Sequence, residues 1–103
     1  MRYLGGLRGA GTLRCGGQEL APAEYDLDGY QVPPAANVAA SGEIRTTPEV
    51  LRKVFGRRDL ELVTENGRSL RFRFTEKKLV AGDDAAHVDV TDGLPTAKEW
   101  RAA

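Results

Sequence analysis

His87 is the single histidine of this chain of 103 residues, and acidic residues lie close to it in the sequence. Asp89 follows two positions later, so on a strand both side chains would leave the same face. Imidazole and carboxylate groups bind many divalent metals, which makes His87, Asp89 and Asp84 candidate ligands of a metal-dependent site. Such a site usually has about four ligands, and a surface histidine beside carboxylates explains the pattern more simply. We therefore predict no bound metal.

Cys15 is the single cysteine, and together with His87 it would supply a nucleophile and a general base. No local motif supports that pairing, and Cys15 falls on the apolar side of its predicted strand, where a thiol is unreactive. The segment 26–29 (DLDG) begins like a calcium loop but lacks the later ligands. Nucleotide-binding, zinc-finger and hydrolase motifs are also missing from the sequence. We therefore predict a protein that is not an enzyme, with no catalytic residues and no cofactor.

Five arginines in the middle of the chain form a candidate nucleic-acid face. They are Arg52, Arg57, Arg58, Arg71 and Arg73. Faces that bind single strands combine such cations with exposed aromatic side chains. Here Phe72 and Phe74 alternate with the arginines and should point into the core, and nearby acids should neutralise much of the positive charge. A nucleic-acid-binding barrel is therefore the alternative hypothesis, and we do not expect nucleic acid to be the main partner.

The charge of the chain is balanced overall and uneven locally. Fifteen basic and fifteen acidic residues give a net charge of zero, whereas proteins that bind polyanions generally carry a positive excess. The charged residues within 19–44 are all acidic, and most of those within 45–78 are basic. Such blocks either pair within one fold or attract between copies of the chain. The charge blocks therefore fit two roles, which are keeping the domain soluble and mediating self-association.

Composition predicts a bacterial protein of the cytoplasm. Arg outnumbers Lys, and Ala and Gly are frequent, as in proteins from GC-rich bacterial genomes. A lone cysteine fits a reducing compartment. The first residues lack the apolar run of a signal peptide, and we find no segment apolar and long enough for a membrane span.

One short helix is predicted over residues 48–55. Thr47 is a good N-cap, and Pro48 suits the first helical position. Apolar residues then fall on one face, and Gly56 follows where a left-handed residue ends a helix. The segment 96–103 begins with a capping box, so it should form a short helix carrying Trp100 or a frayed tail.

A β-hairpin is predicted over residues 59–64 and 68–75, because both segments alternate between apolar and polar residues. A three-residue loop, Glu65-Asn66-Gly67 with Gly67 left-handed, separates an apolar face from a charged face, whereas a two-residue loop would mix them. The predicted pairs are Leu62 with Leu70, Glu61 with Arg71, Leu60 with Phe72 and Asp59 with Arg73.

Alternation places further strands at 10–15, 22–31, 37–46 and 86–91, with a bulge at Gly29 and an extra strand at 2–8 left open. The length favours one domain over residues 1–103. The predicted fold is mainly β, or α+β at the margin. It is a small closed or partly open β-barrel, or a two-layer sandwich. About six strands are expected, with the helix between the third and fourth strands. The leading functional hypothesis is a non-catalytic module that binds protein, as a homo-oligomer, through its sheet edges.

Overall fold

The structure, a computed structural model, describes residues 1–33 and 37–102, with side chains for 1–33 and 37–100. Three strands, a helix, three more strands and a second helix follow one another. They are β1 (Arg2–Cys15), β2 (Gln18–Val32), β3 (Asn37–Arg45), α1 (Pro48–Val54), β4 (Leu60–Val63), β5 (Ser69–Phe74), β6 (Ala85–Asp92) and α2 (Ala97–Ala102). Within these residues neither helix is long and apolar enough to cross a membrane. The mainly β prediction is confirmed.

The six strands form one closed antiparallel barrel in the order β1-β2-β3-β6-β5-β4. It consists of two three-stranded meanders, β1-β2-β3 and β4-β5-β6, that α1 connects. The barrel closes where β4 pairs with β1 and β6 pairs with β3. The small β-barrel prediction is confirmed, including the position of the helix. The barrel is closed rather than partly open, because β4 returns to β1, and the alternative two-layer sandwich is wrong.

The core lies inside the barrel and follows from the alternation of apolar residues along the strands. Alternate strand residues such as Tyr25, Leu27, Ile44 and Val88 are buried, and their neighbours in sequence are not. Leu51 and Val54 of α1 are also buried, so α1 contributes its apolar face to the core. Burial of this shared surface is what holds the two meanders together.

The hairpin has the predicted loop and register. Gly67 has a φ of 85°, and Glu61 lies opposite Arg71, with Leu62 opposite Leu70. The predicted pairing of Asp59 with Arg73 is wrong, because β4 begins only at residue 60. Asp59 instead accepts two hydrogen bonds from Arg57, at 3.0 and 2.7 Å.

The start of the chain differs from the prediction. Residues 2–8 and 10–15 belong to one continuous strand, β1, which pairs with β2 along its whole length. The register shifts between Tyr3 and Gly5, so the bulged residue is Leu4 of β1, and the predicted bulge at Gly29 is wrong. Gly29 instead leaves room for Trp100, because a Cβ at this position would overlap the ring of Trp100.

Both helices begin with the predicted caps. The Thr47 hydroxyl accepts from the Val50 amide at 3.3 Å, and α1 ends at Val54, one residue before the predicted end. In the capping box of α2, the Thr96 amide donates to the Glu99 carboxylate at 3.0 Å. Trp100 is buried, with 7% of its surface exposed, and α2 extends to Ala102. Residue 103 lies outside the described residues.

Candidate functional site

Strand β1 extends well beyond the barrel seam. It pairs with β2 along its whole length but with β4 only over Thr12–Cys15. The preceding residues therefore form a two-stranded arm whose outer edge has no neighbouring strand in the part of the chain that the structure describes. Unpaired backbone amides and carbonyls at such an edge form a ready template for another strand.

Two hydrogen bonds show which residues present their backbone at this edge. The Gly16 amide donates to the Asp59 carbonyl at 3.1 Å, and the Ala10 amide donates to the Glu65 carboxylate at 2.8 Å. Backbone groups of alternate residues in a strand point the same way. Gly6 and Arg8 therefore direct both their amide and their carbonyl outward, and both residues are exposed.

Side chains fix the arm from its outer face. The Arg8 guanidinium lies 2.7 Å from the Asp26 carboxylate, and the two groups are exposed. The Tyr3 hydroxyl donates to Asp28 at 3.0 Å, which raises the pKa of the phenol. The Tyr3 ring also packs 5.4 Å from the ring of Tyr30, yet 56% of Tyr3 remains exposed. The arm thus has a defined conformation and a partly apolar surface.

A basic groove of about 450 Å³ lies between the turn after α1 and the strands β5 and β6. We call it the arginine groove, and it is lined by Gly56, Arg57, Arg58, Phe72, Arg73, Phe74 and Thr91. Of the five predicted arginines, the structure brings three to this groove. Arg52, on α1, and Arg71, on β5, are exposed but do not line it.

The arguments against a nucleic-acid face hold only in part. Asp59 neutralises Arg57 and lowers its own pKa by doing so, but it does not reach Arg73. Glu61 accepts a hydrogen bond from the Ser69 hydroxyl at 2.7 Å. Among the described side chains, Arg58 and Arg73 take part in no ion pair. The expected neutralisation by Asp59 and Glu61 is therefore wrong for the groove arginine on β5.

The aromatic residues also differ from expectation. Phe72 is buried as predicted, whereas Phe74 is only half-buried and lines the arginine groove. The ring of Phe74 lies 5.1 Å from Phe55 and 5.7 Å from Phe72, at the end of the barrel. The groove therefore combines cations with a partly accessible aromatic ring.

The three candidate metal ligands do not converge in the structure. The Thr75 hydroxyl lies 2.8 Å from Nδ1 of His87, and Asp84 pairs with Arg45 at 3.3 Å. Asp89 lies opposite Arg73 across the β5–β6 pair. Within the described residues, no three His, Cys, Asp or Glu side chains lie close enough to hold a metal ion.

The other chemical candidates are likewise separated. Cys15 and His87 lie on β1 and β6, which are not neighbours in the barrel. The Cys15 thiol instead lies 3.6 Å from the Asp59 carboxylate, and burial raises its pKa, which disfavours the thiolate. Asp26 and Asp28 lie within the regular strand β2, where they bind Arg8 and Tyr3. The segment 26–29 therefore has the shape of a strand and not of a calcium loop.

Sequence reasoning named three arginines of the groove but missed the residues that define the edge. Gly6 and Arg8 gave no signal, because the glycine-rich start of the chain does not alternate. The predicted strands 10–15 and 59–64 have equal lengths, whereas β1 has 14 residues and β4 has four, and this difference creates the free edge. Thr91 also lines the groove, and it lies at the register shift between β5 and β6, which the sequence pattern does not indicate.

A scan against models of known protein families finds no match to this chain, and searches of curated proteins and of solved structures find none either.

Proposed function

We propose that this protein is a non-catalytic assembly module that pairs the free edge of β1 with the same edge of a second copy. The observation that carries the proposal is the outward-facing backbone of Gly6 and Arg8, which no strand covers in the described chain. The Leu4 bulge limits this edge on one side, and the bond from Ala10 to Glu65 limits it on the other. A short antiparallel segment of another chain fits this window.

A second copy is a suitable partner because the edge is complementary to itself. A two-fold axis at Leu7 places Gly6 opposite Arg8 of the other copy, and Arg8 opposite its Gly6. Each guanidinium then faces a glycine, so no like charges stand directly opposite one another. Each Arg8 also keeps its ion pair with Asp26 of its own chain.

The expected association is weak. Two such residue pairs form about four hydrogen bonds between the copies, and at about 0.5–1.5 kcal/mol each they contribute roughly 2–6 kcal/mol. Association itself costs about 4–15 kcal/mol. Burial of exposed apolar surface on Tyr3 and Met1 would add to the favourable side. We therefore expect a dissociation constant above about 1 µM.

The test compares Arg8→Pro with Arg8→Ala by sedimentation velocity, from about 10 µM to about 1 mM protein, a range set by the expected affinity. Both variants lose the ion pair with Asp26. Only proline removes the backbone N–H of residue 8, which points outward. The hydrogen bonds to β2 stay intact, because they are made by the residues on either side of position 8. We expect Arg8→Ala to dimerise and Arg8→Pro to remain monomeric.

Two results would overturn the proposal. One is a wild-type protein that stays monomeric over the whole concentration range. The other is a dimer that Arg8→Pro and Arg8→Ala weaken equally, because the backbone edge would then not be the contact. Circular dichroism of both variants establishes that the barrel is folded.

We further propose that this assembly takes place in the cytoplasm of a bacterium. The single cysteine supports a reducing compartment, and the preference for Arg over Lys supports the bacterial origin.

A further inference from the structure

We infer that the arginine groove binds a nucleotide unit of single-stranded nucleic acid, with its phosphate at Arg58 and Arg73 and its base against Phe74. This function is separate from the proposed edge pairing, since the groove lies on β5 and β6 and the edge on β1. It rests on three features of the groove, which are its unpaired cations, its aromatic ring and the acidic residues around it.

The cations reach the groove from two different elements. Gly56 has a φ of 84°, a left-handed conformation that ends α1 and turns the chain so that Arg58 lines the groove. Arg73 comes from β5 on the other side. Because neither guanidinium takes part in an ion pair among the described side chains, both retain their donors for an oxyanion.

The ring of Phe74 gives the groove a second type of contact. Phe74 is half-buried, and its packing against Phe55 and Phe72 holds the ring in place. Every nucleobase has a π-face, so stacking on such a ring tolerates many sequences. Arg58, Arg73 and Phe74 line the same groove, so it offers cations for a phosphate together with a ring for a base.

The charge around the groove favours a single strand over a duplex. Asp89 lies opposite Arg73, and Asp92 lies opposite Arg71, so carboxylates offset part of the positive charge on this face. Duplex DNA depends on many phosphate contacts and hides the faces of its bases. A single strand needs only the one phosphate held by Arg58 and Arg73, and it can turn one base towards Phe74.

The experiment measures the anisotropy of a fluorescein-labelled 12-mer of oligothymidylate at low salt. Arg58→Glu and Arg73→Glu should each weaken binding by about tenfold or more, because each removes a phosphate contact and adds repulsion. The charge-matched control is Lys78→Glu, at an exposed position outside the groove, which should change affinity by less than about twofold. Phe74→Leu tests stacking and should weaken binding by about threefold to tenfold.

The salt dependence gives an independent check. With one phosphate neutralised by Arg58 and Arg73, the logarithm of the binding constant should fall with the logarithm of salt with a slope of about −0.7. Thymidine monophosphate as competitor distinguishes a strand from a free nucleotide. Weaker competition than by the unlabelled 12-mer supports the strand, and equal competition would overturn the assignment to a strand.

No binding at low salt would overturn the whole inference, as would equal losses in Lys78→Glu and Arg73→Glu. Thermal melts of each variant show whether a loss comes from unfolding. The protein with Arg8→Pro should bind the oligonucleotide as the wild type does. The proposals for the groove and for the edge can therefore be refuted independently of one another.

Discussion

Substitution of Gly29 by alanine would test how the C-terminal helix is held against the arm. Gly29 is buried in β2, and a Cβ there would overlap the six-membered ring of Trp100. The backbone of Gly29 is not in the left-handed region, so alanine causes no strain in the main chain. The whole effect of Gly29→Ala therefore comes from the space that the ring needs.

The magnitude follows from the burial of Trp100, of which 7% is exposed. A buried tryptophan covers about 150–250 Å², which at about 25 cal/mol per Å² corresponds to roughly 4–6 kcal/mol as an upper limit. Loss of a large core side chain costs about 3–5 kcal/mol, and alanine regains about 0.5–1 kcal/mol over glycine in a strand. We expect Gly29→Ala to destabilise the packed state by about 2–4 kcal/mol.

Fluorescence measures this directly, because Trp100 is the only tryptophan. Gly29→Ala should shift its emission to the red and lower the denaturation midpoint. Gly6→Ala is the matched control, since its Cβ would meet nothing closer than 3.7 Å. In a Trp100→Ala background the cost of Gly29→Ala should largely disappear. Unchanged emission and midpoint in Gly29→Ala would refute the reasoning.

Two further predictions concern the hairpin loop and the capping box. Gly67→Ala should lower the free energy of unfolding by about 1 kcal/mol in denaturant titrations, because Gly67 has a φ of 85° and alanine is strained there; a neutral result would contradict the loop conformation. The hydrogen bond from the Thr96 amide is the main reason that the pKa of Glu99 lies below its ordinary value, and the Thr96 hydroxyl is the second. The stability that this adds is therefore present at neutral pH and is lost as the pH falls through the depressed pKa. An NMR titration should show the low pKa, and Thr96→Val should raise it; the same pKa in both proteins would rule out the hydroxyl's role.

Local patterns were sufficient for much of the fold. The Thr47 cap, the Gly67 loop and the register of Leu62 with Leu70 each depend on residues close in the sequence, and the structure has all of them. Closure of the barrel was one of several possibilities, because it depends on β1 meeting β4. Pairing between distant strands leaves little trace in the alternation of either one.

The candidate sites were less predictable for the same reason. Asp59 was assigned to Arg73 from strand register alone, but the chain leaves the strand at that point and Arg57 is closer. Likewise Gly29 suggested a bulge, because the sequence cannot show that Trp100, far along the chain, occupies the space beside it. Features that depend on contacts between distant parts of the chain become visible only in the folded structure.

The division of the barrel into two meanders also has a consequence for its folding kinetics. Neither meander can bury its apolar face alone, and the two seams that join them, β1 with β4 and β3 with β6, connect residues far apart in the sequence. High contact order of this kind slows folding, typically to about milliseconds to seconds. Closing the first seam already brings the two meanders together, so the second seam closes at little further cost in chain entropy. We therefore expect both seams to close in a single rate-limiting event. Refolding should then follow one exponential, with the exposed β1 edge most prone to aggregation before that event.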